Sequence, residues 1–448
     1  MIVLRRKEDC CGCHACETVC PKNCIKMQED NEGFLYPETD ASRCIECHLC
    51  EKVCPMINRG ERPRNFPNGG CDPVVFAAKN LDEAIRFQSS SGGVFSALAE
   101  RVIRNGGVVF GARWNSDFTE VVHDLTETLE GLAAFRGSKY LQSRVGDTFR
   151  KAREFLQAGR EVMFTGTPCQ IAGLRRALRA DFPNLLAVEV VCHGVPSPKI
   201  WRIYLRDLKK KLGSKPAGKS DGKDSEARSS RTIDCGSNED HVEIRTLSLR
   251  SKSPPGGWKK YSLALTWSPQ SGDKNTKLSF LEPCHYWAEN TYMNAFLSDL
   301  ANRPSCTTCP AKFQKSGADL VLGDFWGIEA ELDDDLGCSL VLANTERGLA
   351  AIRASDSVEL IPKAYAQARG IRSLEESLLP HPKRKAFFAS IERGVPLDVA
   401  VRKFRPLPYL TRIRRNGKQV CFSIAVRTLR ALRLLEIAKK ILGKRGKK

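Results

Sequence analysis

Hydrophobic and polar positions divide this 448-residue chain into regions of different texture. Residues 10–54 are dense in cysteine and contain one spacing pattern twice. From Val74 onwards, short apolar runs alternate with stretches of helical periodicity, which is typical of a globular α/β domain. Past residue 401, an apolar stripe recurs among many basic residues. We therefore predict a cysteine-rich domain at 1–57, a linker at 58–73, a large domain at 74–400 and a basic helical tail at 401–448.

The order of elements in the large domain predicts a mixed α+β and α/β fold, with at least some parallel strands in its sheet. The predicted strands are 73–80, 108–114, 161–166, 185–191, 262–267 and 318–323, and the predicted helices are 92–104, 145–158 and a segment from about 170. The region that follows the last predicted strand, to about residue 400, is predicted to be helical and polar. The stretch 213–240 is poor in apolar residues and predicts a flexible surface insertion without a catalytic role.

Cysteine usage changes this picture. The chain has 19 cysteines and a formal charge of +19. No apolar run is long enough to span a bilayer, and the first residues lack the apolar core of a signal peptide. We therefore expect a cytoplasmic protein, at most peripheral to the inner face of the membrane. An odd number of cysteines in such a protein favours metal ligation over disulfides, because thiolates are the ligands that iron–sulfur clusters and zinc select.

The positive charge belongs mainly to the tail. Residues 402–448 hold 16 Lys and Arg against the single acid Glu436, and the rest of the chain is near neutral. The near-neutral body shows no basic groove, which argues against nucleic-acid binding. Residues 419–448 predict a basic amphipathic helix. Such a helix suits an anionic membrane surface or an acidic partner, and packing on the body with a solvated basic face is the equal alternative.

The amino-terminal cysteines form C-x₂-C-x₂-C-x₃-C-P twice, 34 residues apart. This is the bacterial ferredoxin run, in which three close cysteines bind one cubane and the fourth binds the other. The pattern predicts two [4Fe–4S] clusters. The predicted ligands are Cys10, Cys13, Cys16 and Cys54 for the first cluster, and Cys44, Cys47, Cys50 and Cys20 for the second.

Zinc is the alternative occupant of these cysteines, but zinc knuckles pair two C-x₂-C units and rarely use a triplet followed by Cys-Pro. Cys11 and Cys24 fall outside the pattern and are expected to pack in the core. His14 and His48 lie between the ligands, and both four-cysteine sets are complete without them.

Five segments of the large domain, together with the cysteine repeats, resemble the coenzyme F420 hydrogenase/dehydrogenase beta-subunit family, which includes the plant 7-hydroxymethyl chlorophyll reductase. The segments are SSSGGVFSALAE (89–100), FRGSKYLQS (135–143), FTGTPCQIAGLRRAL (164–178), VVCHGVPSPKIW (190–201) and CTTCPAKF…ADLVLGDFWG (306–327). The resemblance covers roughly residues 1–330 in family order, but not the tail. It implies FAD, iron–sulfur clusters and hydride exchange with a deazaflavin such as coenzyme F420 or a related substrate.

Two of these segments offer groups for a flavin nucleotide. Ser89, Ser90, Ser91, Gly92 and Gly93 stand just before a predicted helix, where hydroxyls and backbone N–H groups favour a pyrophosphate over a plain N-cap. In FRGSKYLQS the candidate contacts are Lys139 and Arg136, with Tyr140, Gln142 and Ser143. Their cations suit cofactor phosphates or negative charge on the flavin. A solvated loop is the alternative, and the resemblance favours the site.

Two apolar strands each end in a loop that carries a cysteine. The first loop holds Thr165, Gly166, Thr167, Cys169 and Gln170, and the second holds Cys192 and His193. Ligands of open α/β sheets gather at such carboxyl ends, so Thr165, Gly166, Thr167 and Gln170 are further candidate contacts of the flavin cofactor. With Cys306 and Cys309, these cysteines match the family's positions, which implies a third [4Fe–4S] cluster. A structural zinc and independent buried cysteines are the alternatives.

Three further residues are candidates for the flavin site. His193 neighbours a proposed ligand and can donate to the cluster or the flavin. Asp324 and Trp326 follow a strand in LGDFWG, where they can line the flavin or simply close the core.

These features predict an oxidoreductase that relays electrons from a hydride-carrying small molecule, such as coenzyme F420, through FAD and [4Fe–4S] clusters to a redox partner protein. A flavin is needed because a hydride carrier exchanges two electrons and clusters exchange one. No general acid, base or covalent nucleophile is predicted, so the catalytic residues stay unassigned. The alternative function is a non-catalytic, ferredoxin-like subunit of a larger redox complex.

Overall fold

The computed structural model describes residues 1–59, 72–213, 242–254, 256–269, 278–284, 290–312 and 314–405. Most of the predicted linker, nearly all of the predicted insertion at 213–240 and the predicted helix at 419–448 lie outside these ranges. Within the described residues, none of the helices combines the length and apolar character of a membrane span.

The amino-terminal unit is an internal repeat in structure as well as in sequence. Its hairpin is formed by β1 (Ile25–Glu29) and β2 (Leu35–Thr39), and its short helices are α1 (Ala15–Val19) and α2 (Leu49–Lys52). Each helix follows a histidine in the left-handed region, His14 at φ 65° and His48 at φ 55°. Each histidine Nδ1 lies 2.9 or 3.0 Å from the carboxylate three residues later. The two cysteine triplets therefore sit on equivalent turns.

An eight-stranded mixed sheet forms the centre of the large domain. Its strands are β3 (Val74–Asn80), β4 (Val108–Trp114), β5 (Val121–Thr126), β6 (Val162–Gly166), β7 (Leu185–Val190), β11 (Leu320–Asp324), β12 (Ser339–Ala343) and β13 (Val358–Lys363). The strand order is β13-β3-β12-β11-β7-β6-β4-β5. The four strands β4, β6, β7 and β11 are parallel to their neighbours within that group. Their carboxyl ends therefore meet at one edge of the sheet.

A second, three-stranded sheet has the order β10-β9-β8. Its strands are β8 (Val242–Ser251), β9 (Ser262–Pro269) and β10 (Leu278–Pro283). The helices of the large domain are α3 (Glu83–Gln88), α4 (Val94–Arg104), α5 (Thr148–Gln157), α6 (Pro168–Leu178), α7 (Pro198–Gly213), α8 (Thr291–Leu297), α9 (Glu346–Arg353), α10 (Tyr365–Ala368), α11 (Arg372–Glu375), α12 (Arg384–Glu392) and α13 (Leu397–Phe404).

The amino-terminal unit packs against one layer of the large domain. Side chains of α5, α6, β4 and β6 share a single apolar core with Cys13, Ala15 and Cys16. In α6, a Cβ at Gly173 would lie 2.9 Å from Cβ of Cys13, so glycine lets α6 approach the first cysteine triplet closely. The other face of the sheet is covered by α4 and α9. The cysteine-rich unit is therefore held against the same layer that carries Cys169.

The predicted strands and helices before residue 213 occur within a few residues of their expected bounds, but the region from 324 to 400 differs from the prediction. The sequence predicts a helical and polar region there, yet it contributes β12 and β13 to the sheet. Strand β12 is buried at every position and pairs with both β3 and β11. An apolar run of five residues does not distinguish a buried strand from a helical segment by periodicity alone, which explains the error.

His123 on β5 should make the stability of this fold depend on pH. Its ring is buried and stacks on Phe164, and its Nε2 donates to the carbonyl of Thr165 at 3.0 Å. Burial lowers the pKa of His123 to about 4. Below about pH 6.5 this histidine is protonated in the unfolded chain but stays neutral in the folded chain. The free energy of unfolding therefore falls by about 3 kcal/mol between pH 6.5 and 4.

We expect His123→Gln, which keeps a neutral donor, to lose less stability than the wild type on acidification. Urea unfolding of both proteins at about pH 7.5 and about pH 5 measures this difference. An identical pH dependence of the two unfolding midpoints would contradict the assignment of a neutral, buried His123.

Candidate functional site

The second ferredoxin set surrounds one cavity. Cys20, Cys44, Cys47 and Cys50 all line a space of about 350 Å³, and Cys24 lies beside them. Cys20 is supplied by the other sequence repeat, so the fourth cysteine joins the opposite triplet. Cys47 is exposed, and this places the set at the surface of the protein.

The first ferredoxin set is buried. Cys10, Cys13, Cys16 and Cys54 are each less than a tenth exposed. The pKa of Cys54 is raised to about 12. Burial is the largest cause, and the neighbouring Cys13 and Cys10 raise it further. The backbone N–H of Gly12 donates to Sγ of Cys10 at 3.3 Å. The structure therefore gathers both sets in the crossed arrangement that the spacing predicts.

The third predicted set also converges on one cavity. Cys169, Cys192, Cys306 and Cys309 line a space of about 400 Å³. Two of them are positioned by the sheet, because β6 leads into the first turn of α6 and β7 ends two residues before Cys192. The other two lie on and just after the 3₁₀ turn Pro304–Thr308.

The loop between β6 and α6 holds Cys169 rigidly. Thr167 caps α6 in a capping box, since its N–H and Oγ1 both lie 3.0 Å from Oε1 of Gln170. A hydrogen bond from the Cys11 thiol, which outweighs burial, lowers the pKa of Cys169 to about 7. Burial raises the pKa of Cys306 to about 11 and that of Cys309 to about 12. The four cysteines are therefore prearranged around one cavity, and each of them is half-buried.

The donor chemistry of all three sets fits iron–sulfur clusters, which are held by four cysteine thiolates each. Two of the sets line cavities of their own, and the remaining one is a buried group of mutually adjacent thiols. Among the described residues, no group of three or more His, Cys, Asp or Glu side chains converges as a site for a single metal ion.

A much larger cavity of about 1200 Å³ opens next to β4 and β8. Cations from two elements line it, namely Arg136, Lys139 and Arg245. Aromatic rings of Trp114 and Phe118 line it as well. This combination of cations and aromatic rings suits a large aromatic ligand that carries phosphates.

Lys139 is a cation without a carboxylate partner in the described part of the chain. Its Nζ donates to the carbonyls of Arg136 at 2.8 Å and Gly137 at 3.2 Å. Desolvation by burial lowers the pKa of Lys139 to about 7. An anionic ligand in the large cavity would restore the charged form.

Other predicted flavin contacts make bonds within the protein. Gln142 donates to the carbonyl of Cys11 through Nε2 at 3.1 Å, and Gln170 donates to Oγ of Ser143 at 2.9 Å. Thr165 donates to the carbonyl of Phe110 at 2.9 Å. None of these predicted contacts, nor Gly166 and Thr167, is among the described residues that line the large cavity or the cavity of the third cysteine set.

The serine–glycine loop at 89–93 joins three parts of the structure. Ser90 Oγ accepts from the N–H of Ser138 at 2.6 Å, and Ser91 donates to the carbonyl of Cys338 at 2.9 Å. Ser89 donates to the end of α3 at 2.8 Å. Gly93 adopts φ 82°, while a Cβ at Gly92 would lie 2.2 Å from the carbonyl oxygen of Ala78. Packing thus accounts for both glycines, and Ser90 is the member that contacts the loop of Lys139.

Asp324 and Trp326 belong to a cluster with Arg250 and Trp258. Asp324 forms an ion pair with the buried Arg250 and accepts from Nε1 of Trp258 at 2.9 Å. Trp326 stacks on Trp258 with ring centroids 4.9 Å apart and an interplanar angle of 5°. Arg250 also reaches the hydroxyl of Tyr140 at 3.4 Å, so this cluster adjoins the FRGSKY loop.

Phe296 links the FRGSKY loop to the third cysteine set. Its ring lies 5.2 Å from that of Tyr140 and 5.4 Å from that of His193. His193 lines the third cavity, and its Nε2 lies 2.9 Å from Oδ1 of Asp299. Aromatic side chains therefore connect the two regions predicted to hold flavin and cluster.

Four buried charged residues of this region are not predicted from the sequence. They are Glu189, Arg250, Arg303 and Lys312. Burial raises the pKa of Glu189 to about 7. Lys312 lines the third cavity and donates to the carbonyl of Cys192. The sequence signals are the acid inside the apolar run LLAVEVV and the place of Lys312 in CTTCPAKF; Arg250 and Arg303 stand in segments of ordinary composition.

Comparison with protein families gives three matches. Two of them are to the coenzyme F420 hydrogenase/dehydrogenase beta subunit, whose N-terminal model matches residues 75–149 and whose C-terminal model matches residues 159–363. Together these two matches cover more than half of the chain. Residues 9–57 match the "4Fe-4S dicluster domain".

Comparison with curated proteins gives no match. Among solved structures, the chain is similar to one from a xenon derivatization of the F420-reducing [NiFe] hydrogenase complex from Methanosarcina barkeri. The identity is 16% and the TM-score is 0.38, over 66% of this chain and 84% of that chain.

Proposed function

Because this chain belongs to the coenzyme F420 hydrogenase/dehydrogenase beta-subunit family, we propose that it relays electrons between a hydride-carrying small molecule and a redox partner protein. The family makes it an FAD and iron–sulfur oxidoreductase subunit, and its dicluster domain supports two [4Fe–4S] clusters. The proposal adds a third cluster, the place of the flavin and a coenzyme F420-like substrate.

The observation that carries the proposal is the convergence of Cys169, Cys192, Cys306 and Cys309 on one cavity. These cysteines come from two strand ends and one turn. Independent structural cysteines would have no reason to lie around the same cavity. We assign them as the ligands of the third cluster, because four thiolates are a complete ligand set. Cys11 also lines this cavity, next to the first ferredoxin set.

We assign the large cavity to FAD. When bound, FAD would accept a hydride and release its two electrons one at a time. Arg136, Lys139 and Arg245 would pair with its phosphates, since charge-assisted bonds to phosphate are the strong ones. Trp114 and Phe118 would contact its rings. Phe296 and the two side chains beside it would separate this cavity from the third set and exclude water between them.

The second ferredoxin set is the proposed contact with the partner protein. Cys47 is exposed, whereas the first set is buried. Val3 and Ile45 are exposed apolar side chains of the same unit. An electron that leaves the protein through this unit would therefore leave at the second set.

Anaerobic reconstitution with iron, sulfide and FAD tests this assignment. We expect about twelve irons per chain, four for each cubane, and one bound flavin. Cys338→Ala serves as the control, since Cys338 is buried but lines none of the three cavities. A wild-type protein that holds about eight irons and no flavin would contradict the proposal and leave a simple dicluster carrier.

A further inference from the structure

Arg303 is a fully buried guanidinium between the first and third cysteine sets. It is 1% exposed. Its Nε donates to the carbonyl of Cys10 at 2.9 Å, and its Nη2 lies 3.6 Å from the sulfur of the same residue. It also lines the third cavity, beside Cys306. One side chain thus contacts both cysteine sets.

The surroundings of Arg303 contain no carboxylate partner among the described residues. Its remaining donors reach the carbonyl of Leu35 and Oε1 of Gln142, each at 2.8 Å. The rings of Tyr36 and Phe34 lie 4.4 and 5.4 Å from its central carbon. A buried charge without a counterion is costly, so the anion that balances Arg303 must be supplied by the cysteine sulfurs or by the cluster they hold.

Cys11 adds a second contact across the same boundary. Its thiol adjoins the thiols of Cys13 in the first set and Cys169 in the third. Gln142 holds the carbonyl of Cys11 and accepts from Arg303, which fixes this arrangement. At Gly12 a Cβ would lie 2.8 Å from Nη1 of Arg303, and φ is 66°, so glycine is required for the close approach.

We propose that Arg303 is a positioning residue that raises the reduction potential of the first ferredoxin cluster and makes it the one that exchanges electrons with the third set. A fixed positive charge and a hydrogen bond to a ligand sulfur both stabilise the reduced, more negative cluster. The first cluster is then the entry point and the surface-exposed second cluster is the exit. The exchange with the third set rests on the proposed function, whereas the effect on the potential does not.

The test is a redox titration of the full-length reconstituted protein, followed by electron paramagnetic resonance. In Arg303→Met, the midpoint potential of one ferredoxin cluster should become more negative by about 59 mV. This shift is a tenfold change in the reduction equilibrium of a one-electron couple. The other midpoints and the iron content should be unchanged. Arg303→Lys keeps the charge without the planar fork and should give a smaller fall of the same midpoint.

Arg384→Met is the matched control. Arg384 also joins the amino-terminal unit to the body, through an ion pair with Glu32 at 2.6 Å and a bond to the carbonyl of Asn302 at 2.8 Å. It should leave every midpoint in place. Unchanged midpoints in Arg303→Met with full iron, or an equal shift of all midpoints, would overturn the proposal.

If Arg303→Met does not retain iron, the midpoint potentials are measured in Gln142→Leu instead. Removing the Gln142 acceptor loosens the guanidinium, so the same midpoint should fall by a smaller amount, and the absence of any fall would reject the proposal. If the chain bound no flavin and no third cluster, the proposed function would fail while the shift caused by Arg303 persisted. The two failures are therefore distinguishable.

Discussion

Replacing Cys192 by serine is expected to remove about four irons per chain and to stop a reduced deazaflavin from reducing the ferredoxin clusters. Cys192 lies two residues beyond β7 and lines the third cavity with Cys169, Cys306 and Cys309. Serine lacks the soft thiolate that iron–sulfur clusters select. We expect the rate of cluster reduction to fall by about 100-fold or more, because loss of a residue that only hydrogen-bonds to a metal ligand already costs about 10- to 100-fold in metal affinity or activity.

The same variant should keep its two ferredoxin clusters. Dithionite needs no flavin, so it should still reduce them and give the wild-type resonance signal. Iron analysis and rapid-freeze resonance measure the two effects separately, with Cys338→Ala as the buried-cysteine control. Full iron content in Cys192→Ser, or unchanged reduction by the deazaflavin, would remove the third cluster from the relay.

Lys139→Met is expected to weaken FAD binding by about 10- to 100-fold. Hydrogen bonds to a charged group contribute about 1.5–3 kcal/mol, and each 1.4 kcal/mol is a tenfold change in affinity. Lys139 lines the large cavity and meets only backbone carbonyls there. Flavin titration of the deflavinated protein measures the dissociation constant. Lys363→Met, which removes a half-buried lysine paired with Glu329, is the control and should bind FAD normally.

The pH dependence of flavin binding follows from the same residue. Burial lowers the pKa of Lys139 to about 7 in the ligand-free protein, and a phosphate raises it again. Binding above about pH 7 therefore takes up a proton, and wild-type affinity should weaken as the pH rises. In Lys139→Met this dependence should disappear. A wild-type affinity that is constant across pH 7 would contradict a role for Lys139 at the phosphates.

The sequence predicts those parts of the site that depend on local spacing or on the direction of strands. The ferredoxin sets repeat at fixed intervals, so the spacing alone assigns each cysteine to its cluster. The meeting of Cys169 and Cys192 can be anticipated because carboxyl ends of parallel strands share an edge, whereas the addition of Cys306 and Cys309 is implied by the family resemblance. The match of residues 9–57 and of the two beta-subunit models confirms the family resemblance.

The sequence does not show which polar side chain faces a ligand and which faces its neighbour. It predicts Gln142 and Gln170 at the flavin; in the structure they hydrogen-bond to Cys11 and Ser143, and a flavin contact for either residue stays a prediction. Arg303 contacts Cys10 from a position 293 residues away, and nothing local marks it. Such contacts depend on tertiary packing, as does the burial of β12, which supplies a strand where the sequence predicts a polar helical region.

Whether flavin connects the hydride carrier to the clusters is tested by mixing the full-length reconstituted protein anaerobically with a reduced deazaflavin, with and without bound FAD. We expect the resonance signal of reduced ferredoxin clusters to develop only in the FAD-loaded sample. Cluster reduction that is equally fast without flavin, or no reduction in either sample although dithionite reduces the clusters, would contradict the account and favour a non-catalytic electron-transfer subunit.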